Sequence, residues 1–497
     1  MTGRKQERWR RILEGALAAA PALAVGWVLH RGSPQTPFAP TALADRIIRL
    51  TPGDVATTAI DRLHHAAQGL LAAGLVGVFL AIAAFAAAGR RSPWRAAVLW
   101  SAALLAGGAA TPVGLSVSGA LAAAALGGAL YWIALRALRG VGDAPAADLG
   151  RRRALVAIGA FTTGVLVASH PLGRVVERLA GAPRGLRPGG LPRAPTPSRA
   201  AFPPIAGLVP EITPVADHYV VDIDINDPVV DGPSWRLTVG GLVERPLQLG
   251  FLDLQRDFAL VEEISVLTCI SNEVGGALVG SSRWEGVPLR ALLTRAGVRS
   301  RARALVVRCA DGYSEGIPLA AARHPSALVA IAQDGQALAR EHGFPCRLRV
   351  PALYGMLNPK WVTSIDLVDR SYLGYWAQQG WSPTAVVRTE SRIDTPRSAR
   401  AGEPTWVAGV AWAGVRGIRA VQLSFDHGRT WRPARLRDPL SPWAWTQWAY
   451  RWTPTRRGRQ PVLCRAVDST GAVQDPRRRA PHPSGASGYH RAEITVA

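Results

Sequence analysis

The first 170 residues contain apolar runs long enough to cross a membrane, and this feature constrains the fold more than any other. A helix that spans a bilayer needs about 20 apolar residues. Runs rich in alanine, leucine, glycine and valine lie at roughly 12–29, 66–88, 94–111, 113–135 and 154–169. The pattern predicts an all-α transmembrane bundle of about five helices over residues 1–170.

Basic residues flank these runs asymmetrically, and the asymmetry predicts an orientation. Cytoplasmic loops of membrane proteins carry an excess of lysine and arginine. With the N-terminus inside, three basic segments are cytoplasmic, although four arginines in the loop at 30–65 weaken the contrast. These segments hold Arg4, Lys5, Arg8, Arg10 and Arg11, then Arg90, Arg91 and Arg95, then Arg136, Arg139, Arg151, Arg152 and Arg153. Five spans then place residues 171–497 outside the cytoplasm.

The fifth run, GRRRALVAIGAFTTGVLVAS at 150–169, has two interpretations. It is either a stop-transfer helix with a basic flank or a twin-arginine export signal, in which Arg152 and Arg153 precede the apolar run. The second route carries folded domains that already hold their cofactor. Both interpretations stay open on the sequence.

Four histidines lie near the predicted outer ends of the helices: His30, His64, His65 and His170. Facing histidines at one membrane level can hold a b-type haem. We favour the simpler interpretation that they are polar residues at helix ends, and haem b in the membrane part is the alternative.

After the apolar runs the sequence changes to that of a soluble protein. Residues 171–210 are rich in proline, glycine and arginine, which predicts a semi-stiff linker. Short strand-like runs and a helix ending at Gly297 then predict an α+β domain over 211–380. From about residue 381 only strands and turns are indicated, and their spacing is typical of an immunoglobulin-like β-sandwich over 381–497.

The net charge of +23 does not indicate nucleic-acid binding. The arginines are scattered, and no DNA- or RNA-binding motif accompanies them. Much of the charge flanks the apolar runs or lies in the linker, which indicates contact with anionic membrane lipid.

Cys269 differs from the other cysteines in its sequence context. The four cysteines show no CxxC pair, which argues against a zinc site or a disulfide framework; they are Cys269, Cys309, Cys346 and Cys464. Cys309 and Cys464 lie in apolar runs and are expected to be buried as small apolar side chains. Cys269 ends the strand-like run EEISVLTC and is followed by Asn272 and two glycines at 275–276. A thiolate suits redox metals, and paired glycines allow a bulky cofactor to approach the backbone.

A second stretch, EHGFPCRLRVPALYGMLNPKW at 341–361, sets His342, Arg347 and Lys360 among glycine- and proline-rich turns. Arginine offers bidentate donors to phosphate, and lysine offers a point charge. Lys360 is one of only two lysines in the chain, so a lysine at this position suggests a specific requirement. The two stretches together predict a thiolate and an anion-binding loop.

These stretches resemble the sulfite oxidase family of molybdopterin enzymes, over residues 211–497. LTCISNEVGG with SSRWEGVPLRALL resembles the molybdenum-ligand segment, and HGFPCRLRVPALYGMLNPKW resembles the pterin-binding segment. VAGVAWAGVRGIRAVQLSFDHGRTWRPARL with WAWTQWAYRW resembles the C-terminal immunoglobulin-like domain, which often forms the dimer contact. The implied fold is a transmembrane bundle, then an α+β sulfite-oxidase-type molybdopterin domain, then an immunoglobulin-like sandwich.

The resemblance implies a molybdenum-pterin cofactor with Cys269 as its thiolate ligand. The metal would cycle between two oxidation states while an oxygen atom passes to or from a small substrate. Tyr313, in DGYSEG, either faces the substrate or is a turn tyrosine, and DHYVVDI at 217–223 places Tyr219 near the pterin. The cofactor-binding residues implied are Tyr219, Cys269, Asn272, His342, Arg347 and Lys360.

One residue departs from the sulfite-oxidising pattern, in which an arginine usually follows soon after the asparagine of the cysteine segment. Here Glu273 follows Asn272 and would repel an anion if it faced the pocket. A neutral sulfoxide is therefore as good a candidate substrate as sulfite. No cytochrome domain precedes the catalytic part, so we expect a separate quinone or cytochrome to be the electron partner.

The alternative from another functional class is a non-catalytic membrane receptor or assembly protein that retains the fold. Cys269, Asn272, Arg347 and Lys360 argue against it, because a site without metal has no need for a thiolate beside cationic loops. No GxSxG, HExxH or helix-opening GxGxxG motif indicates another enzyme class. The sequence predicts a multi-pass membrane oxidoreductase, active outside the cytoplasm and capable of forming a homodimer.

Overall fold

A computed structural model describes residues 2–32, 36–51, 55, 66–88, 92–109, 117–139, 152–165, 167, 202–223 and 227–497. The chain divides into two compact units. The helical unit comprises residues 1–51, 62–181 and 222–229, and the β-rich unit comprises residues 52–61, 182–221 and 230–497.

The helical unit contains α1 (Thr2–Gly32), α2 (Ala39–Leu50), α3 (Ala66–Ala88), α4 (Pro93–Gly108), α5 (Val117–Arg139) and α6 (152–165). Among the described residues, three helices are long and apolar enough to span a membrane, over Lys5–His30, Gly69–Ala88 and Gly119–Arg139. The described helices α4 (Pro93–Gly108) and α6 (152–165) fall on the two other predicted spans, at 94–111 and 154–169. However, α4 has only 16 residues, fewer than the roughly 20 that a bilayer requires.

Helix α2 lies within residues 30–65, which the sequence analysis treated as a loop. Proline in its first turn, Pro40, is compatible with helix because the first N–H groups have no partner inside the helix. Ala39, Ala42 and Ala44 are buried while Arg46 is exposed, as expected of an amphipathic helix.

The histidine predictions are only partly covered by the described residues. His30 lies near the end of α1, with Nδ1 2.9 Å from the carbonyl oxygen of Thr36. Several residues singled out in the sequence lie outside the described part: His64, His65, His170, Arg90, Arg91, Arg151 and the linker segment 171–201.

Small residues and an ion pair between α1 and α5 hold the helical unit together. A Cβ added at Gly15 would lie 2.5 Å from Ala87 Cβ and 2.8 Å from the carbonyl oxygen of Ala83, so α1 and α3 are in close contact. Arg139 of α5 lies 3.5 Å from Glu14 of α1 and donates to the carbonyl oxygen of Ala87 at 2.8 Å. The charge of Arg139 is therefore matched within this unit by the buried Glu14 carboxylate.

From residue 230 onward, the β-rich unit contains four short α-helices: α7 (Phe251–Arg256), α8 (Leu289–Ala296), α9 (Leu319–Ala322) and α10 (Tyr375–Gln378). Its first ten strands are β1 (Arg236–Gly241), β2 (Leu247–Gly250), β3 (Val261–Thr268), β4 (Val279–Pro288), β5 (Ala304–Cys309), β6 (Ser314–Pro318), β7 (Leu328–Gln333), β8 (Gln336–Ala337), β9 (Arg347–Arg349) and β10 (Val362–Val368). The others are β11 (Glu390–Thr395), β12 (Ser398–Ala399), β13 (Thr405–Trp412), β14 (Ile418–Ser424), β15 (Arg432–Pro433), β16 (Arg435–Leu436), β17 (Thr446–Trp452), β18 (Gly458–Asp468) and β19 (His490–Val496).

The first ten strands form two sheets. One has the order β2-β1-β10-β5-β6, and the other has the order β3-β4-β7-β8 with β9 paired to β7. The helix predicted to end at Gly297 is α8, and this glycine adopts a left-handed conformation with φ +70°, as helix-terminating glycines often do. This segment is β-rich, with two sheets and short helices beside them.

The C-terminal strands form two further sheets, β11-β13-β17-β16 and β12-β19-β18-β14-β15. Their facing side chains, among them Val407, Trp448, Val421 and Ile494, form one core. Cys464 lies fully buried in this core, as the sequence predicts. These two sheets form a β-sandwich.

The sandwich contacts both the predicted linker and the strand before Cys269. The carbonyl oxygens of Ala206 and Val209 accept hydrogen bonds from Thr395 and Gln447 at 3.1 and 2.6 Å, so the end of the predicted linker lies against the sandwich. Within β3, the N–H of Val266 donates to the carbonyl oxygen of Trp443 at 3.0 Å. The strand that leads to Cys269 is thereby fixed on the sandwich.

Candidate functional site

Cys269 is the first residue after β3 and begins the loop that leads to β4. Its N–H donates to the carbonyl oxygen of Leu278 at 2.9 Å, and its own carbonyl oxygen accepts from the N–H of Asn272 at 3.1 Å. Its Sγ lies 3.0 Å from Ser271 Oγ, and only 8% of the residue is exposed. All four cysteines are described and none forms a disulfide.

Asn272 closes the same loop and presents an unused donor. Its Oδ1 accepts from the N–H of Leu278 at 2.9 Å. Its Nδ2 is buried and has no hydrogen-bond partner among the described residues. Leaving a buried donor unpaired costs about 1–3 kcal/mol, so this atom indicates a ligand beside Cys269.

Protein atoms fill the space beside Gly275 and Gly276, which the sequence analysis assigned to a cofactor. A Cβ on Gly275 would collide with the His490 ring, and one on Gly276 would lie 2.6 Å from Asn272 Oδ1. Arg392 donates to the carbonyl oxygen of Gly276 at 2.8 Å. Gly275 therefore allows the loop to pack against His490 of the sandwich, and Gly276 allows the tight turn within the loop.

Arg347 and Arg349 lie two residues apart on β9 and share one face of the strand. Their guanidinium carbons lie 5.2 and 4.9 Å from the ring centre of Trp284. Arg347 donates to the carbonyl oxygens of His342 and Asn358, both at 3.1 Å. Both arginines are buried, so this region concentrates positive charge in the interior.

Arg349 was missed in the sequence analysis, although alternation along the strand was a signal for it. It donates to Asn358 Oδ1, to Ser265 Oγ at 3.1 Å and to the carbonyl oxygen of Val266 at 3.0 Å. Burial, and next the charge of Arg347, lowers the pKa of Arg349 to about 9. Burial also raises the pKa of nearby Glu263 to about 8. Near neutral pH the arginine is therefore charged, and the carboxyl is largely neutral.

His218 is a second residue that the sequence analysis missed. Its ring stacks on Tyr219 at 5.3 Å and lies edge-on to His342 at 5.6 Å. Burial, and next the proximity of His342, lowers the pKa of His218 to about 3, so the imidazole is neutral. Its Nε2 is buried without a hydrogen-bond partner among the described residues. The only sequence signal was its position directly before Tyr219.

Tyr219 joins the cysteine loop to the basic region. A Cβ added at Gly355 would lie 2.7 Å from Tyr219 Oη and 3.8 Å from Cys269 Cα. His342, the next ring after His218, bonds through Nε2 to the carbonyl oxygen of Val215 at 3.1 Å, and burial lowers its pKa. The structure therefore brings Tyr219, Cys269, Asn272, His342 and Arg347 into one connected region.

Lys360 and Tyr313 lie at the edges of this region. Lys360 Nζ donates to the carbonyl oxygen of Glu341 at 2.7 Å and lies 4.3 Å from the Trp361 ring centre. An ammonium group has three N–H donors, so this bond does not exclude an anion. Tyr313 is buried and donates to the carbonyl oxygen of Met356 at 2.8 Å, which lies in the turn Gly355–Leu357 beside Cys269.

The arrangement fits a bulky anionic cofactor with a soft metal. Cys269 offers one sulfur ligand, while Asn272 Nδ2 and His218 Nε2 are buried groups whose hydrogen bonds a ligand would complete. Arg347 and Arg349 add positive charge where an anion would bind. This fit rests on the chemistry of the donors in the chain.

Comparisons with known proteins agree with this chemistry. Residues 224–376 match the family model of the oxidoreductase molybdopterin binding domain, and residues 382–496 match that of the Mo-co oxidoreductase dimerisation domain. Sulfite oxidase of Gallus gallus is 31% identical over 300 residues, which cover 50% of this chain and 64% of that protein. NADH nitrate reductase of Petunia hybrida is 27% identical over 315 residues, which cover 50% of this chain and 34% of that protein.

A solved structure shows a similar fold. The crystal structure of the sulfane dehydrogenase SoxCD from Paracoccus pantotrophus matches with a TM-score of 0.52 and 25% identity, covering 62% of this chain and 89% of that one. The chain spans less than two thirds of the length of the two curated relatives above. Two matched domains in sequence, with these relatives, show that the chain belongs to the sulfite oxidase family of molybdopterin oxidoreductases.

Proposed function

We propose that this protein is a membrane-anchored molybdenum-cofactor oxidoreductase that transfers an oxygen atom to or from a small sulfoxide-like or sulfite-like substrate. The observation that carries the proposal is the buried Cys269 thiol beside the unpaired Asn272 Nδ2. A buried N–H donor without an acceptor destabilises the fold. A cofactor bound to Cys269 would supply the acceptor for Asn272 Nδ2.

The residues of the site have distinct roles in this proposal. Cys269 is the thiolate ligand of the metal. Tyr219, Asn272, His342, Arg347 and Lys360 bind and orient the pterin and its anionic tail, together with His218 and Arg349. When bound, the cofactor supplies the two-electron chemistry of oxygen-atom transfer. Because His218 and His342 are neutral, the cationic groups that meet the anion are arginines and a lysine.

Tyr313 holds a proton near the reacting centre. Burial, and next the charge of Glu315, raises the pKa of Tyr313, so its hydroxyl stays protonated at neutral pH. Its hydrogen bond to Met356 fixes the turn beside Cys269. We assign Tyr313 the role of ordering this side of the site.

The substrate class follows from the environment of Glu273. This side chain is exposed, whereas Ser271 and Asn272 are buried. Water and salt screen an exposed charge, so Glu273 weakens anion binding less than the sequence analysis assumed. Both a neutral sulfoxide and sulfite therefore stay in the proposal.

We further propose that the catalytic part acts on the extracytoplasmic side of the cell membrane. The apolar spans and the basic flanks of the helical unit support an N-terminus inside, and Arg152–Arg153 would direct export by the twin-arginine route. Electrons would pass to or from a quinone or cytochrome partner. Replacing both arginines with lysine should leave the β-rich unit inaccessible to added protease in intact spheroplasts; unchanged accessibility would contradict the export route.

The C-terminal sandwich is proposed to be an immunoglobulin-like domain through which two chains form a homodimer. The match of residues 382–496 to a dimerisation domain supports this. Light scattering of the detergent-solubilised protein would measure the mass of the assembly, and a single-chain mass at all protein concentrations would contradict it.

The central experiment compares Cys269→Ser with Cys464→Ser. Both thiols are buried, but Cys464 lies in the sandwich core. In protein from a host that supplies the cofactor, we expect stoichiometric molybdenum and a Mo(V) paramagnetic resonance signal in the wild type and Cys464→Ser. Cys269→Ser should lose or alter the signal. Absence of molybdenum from the folded wild type would contradict the proposed function.

A further inference from the structure

Glu315 and Tyr313 form a buried pair that the proposed cofactor site does not explain. Glu315 is 1% exposed, and its Oε2 lies 3.1 Å from Tyr313 Oη. The same Tyr313 oxygen lies 2.8 Å from the carbonyl oxygen of Met356. The Tyr313 hydroxyl has a single hydrogen. When Glu315 is ionised, this hydroxyl faces two acceptors and can donate to only one of them.

The other oxygen of Glu315 is already occupied by backbone donors. Oε1 accepts from the N–H of Gly316 at 3.0 Å, and the backbone of Gly374 also donates to the carboxyl. A Cβ on Gly374 would collide with this oxygen, so glycine permits the close approach. A proton on the carboxyl therefore resides on Oε2, facing Tyr313.

The surroundings of the Glu315 carboxyl bring its pKa close to neutral pH, so that both of its protonation states are populated there. Burial raises the pKa of Glu315 to about 7, against hydrogen bonds from Gly316, Tyr313 and Gly374 that lower it. Titratable groups around the pair come from several elements: Cys309 and Asp311 at the end of β5, and Tyr372 and Tyr375 after β10.

We propose that Glu315 is a positioning residue whose carboxyl proton selects the direction of the Tyr313 hydroxyl. When Glu315 is neutral, it donates to Tyr313 Oη, and Tyr313 donates to Met356. When Glu315 is ionised, the Tyr313 hydroxyl turns to Oε2, and the Met356 carbonyl loses its donor. One proton is exchanged with water, and no bond is oxidised or reduced.

The switch acts on the wall of the site. Met356 belongs to the turn Gly355–Leu357, and Gly355 packs against Tyr219 Oη and Cys269 Cα. Releasing the Met356 carbonyl loosens this turn beside the thiol. The hydrogen-bond switch stands on the contacts of the chain alone, whereas its effect on catalysis rests on the proposed function.

Infrared difference spectra of the full-length protein test the switch. They are recorded from about pH 5 to about pH 9, a range that begins just above the ordinary pKa of a glutamate carboxyl and includes its shifted value. In the wild type, a protonated-carboxyl band should titrate near neutral pH, and the tyrosine C–O band should change with the same midpoint. Glu315→Gln should abolish both changes, while Glu403→Gln, at an exposed carboxylate, should retain them. Tyr313→Phe should raise the carboxyl midpoint, because the bond from Tyr313 lowers that pKa.

Three outcomes would overturn the proposal: both changes persist in Glu315→Gln, the tyrosine band does not follow the carboxyl band, or Tyr313→Phe leaves the midpoint unchanged. If Glu315→Gln does not fold, the Tyr313→Phe result decides. The infrared bands arise from the protein and are expected without molybdenum as well. Failure of the proposed function would therefore leave them unchanged, whereas failure of the switch would remove the linked titration. In metal-loaded protein, Glu315→Gln should also remove a near-neutral step from the pH dependence of the Mo(V) signal.

Discussion

Two arginines with little exposed surface, one in each unit of the chain, are accommodated in different ways. Arg139 of the helical unit lies 3.5 Å from the Glu14 carboxylate. Arg349 of the β-rich unit donates instead to neutral acceptors on Asn358, Ser265 and Val266. The first charge is neutralised inside its own unit, while the second keeps most of its positive field.

The difference indicates what each arginine is for. A buried charge paired with a carboxylate contributes to packing and leaves little field for a ligand. A buried guanidinium with neutral partners, close to Arg347, favours an anion in the same region. The neighbouring Glu263 does not cancel this field near neutral pH, because burial raises its pKa to about 8. We therefore propose a structural role for Arg139 and an anion-binding role for Arg347 and Arg349 on β9.

The largest effect is expected from Arg349→Leu. Asn358 Oδ1, Ser265 Oγ and the Val266 carbonyl would lose a shared donor, so the free energy of unfolding should fall by about 3–5 kcal/mol. Urea unfolding followed by tryptophan fluorescence measures it. Arg308→Ala is the matched control, because Arg308 is half exposed and pairs with Asp366 on the surface; it should cost less than about 1 kcal/mol. Equal losses in both variants would contradict the comparison.

Glu14→Gln is expected to have the next largest effect, confined to the helical unit. Arg139 would lose its counter-charge, which should cost about 3 kcal/mol, measured by detergent-induced unfolding followed by circular dichroism. Glu7→Gln is the control, since Glu7 pairs with Arg11 on an exposed face of α1. Molybdenum content per folded chain should not change. A loss of molybdenum in folded Glu14→Gln protein would remove the contrast between the two arginines.

Glu263→Gln tests the neutral state of that carboxyl. The folded-state pKa is raised from 4.5 to about 8, so the stability that this group contributes is fully present below pH 4.5 and is lost as the pH rises towards 8. Glutamine mimics the neutral form and should be more stable than the wild type at pH 8 by about 2–3 kcal/mol. Unfolding measured across this range should therefore show a shallower pH dependence in the variant. Parallel curves would show that Glu263 is charged beside Arg349.

The smallest effect concerns the close packing of α1 on α3. Gly15→Ala should destabilise the helical unit by about 1–2 kcal/mol, because the new methyl group meets Ala87 and the Ala83 carbonyl. Gly74→Ala is the matched control, with nothing within 4 Å of the added Cβ. If both alanines are tolerated equally, small-residue packing does not hold this unit.

Much of the site could be predicted from the sequence because its residues lie in two short segments. Each segment combines residue types that indicate a thiolate ligand or an anion-binding loop. The structure brings together their members Cys269, Asn272, His342 and Arg347. Arg349 was missed, although its spacing from Arg347 places both on one face of a strand.

Other contacts could not be predicted from the sequence, because they join residues that are far apart in the chain. Arg392 reaches Gly276, which is 116 residues earlier in the chain, and nothing near Arg392 in the sequence indicates this contact. The glycines at 275–276 were assigned to a cofactor because local sequence does not show that His490 packs against Gly275. Helix α2 was missed because positive charges divide its apolar residues, although Pro40 marks its start.

X-ray absorption at the molybdenum edge tests the central claim most directly, because it counts the sulfur neighbours of the metal. The wild type and Cys464→Ser should show equal numbers, and Cys269→Ser should show one sulfur fewer with molybdenum still bound. The same sulfur count in all three proteins would contradict the assignment of Cys269 as the ligand of the metal.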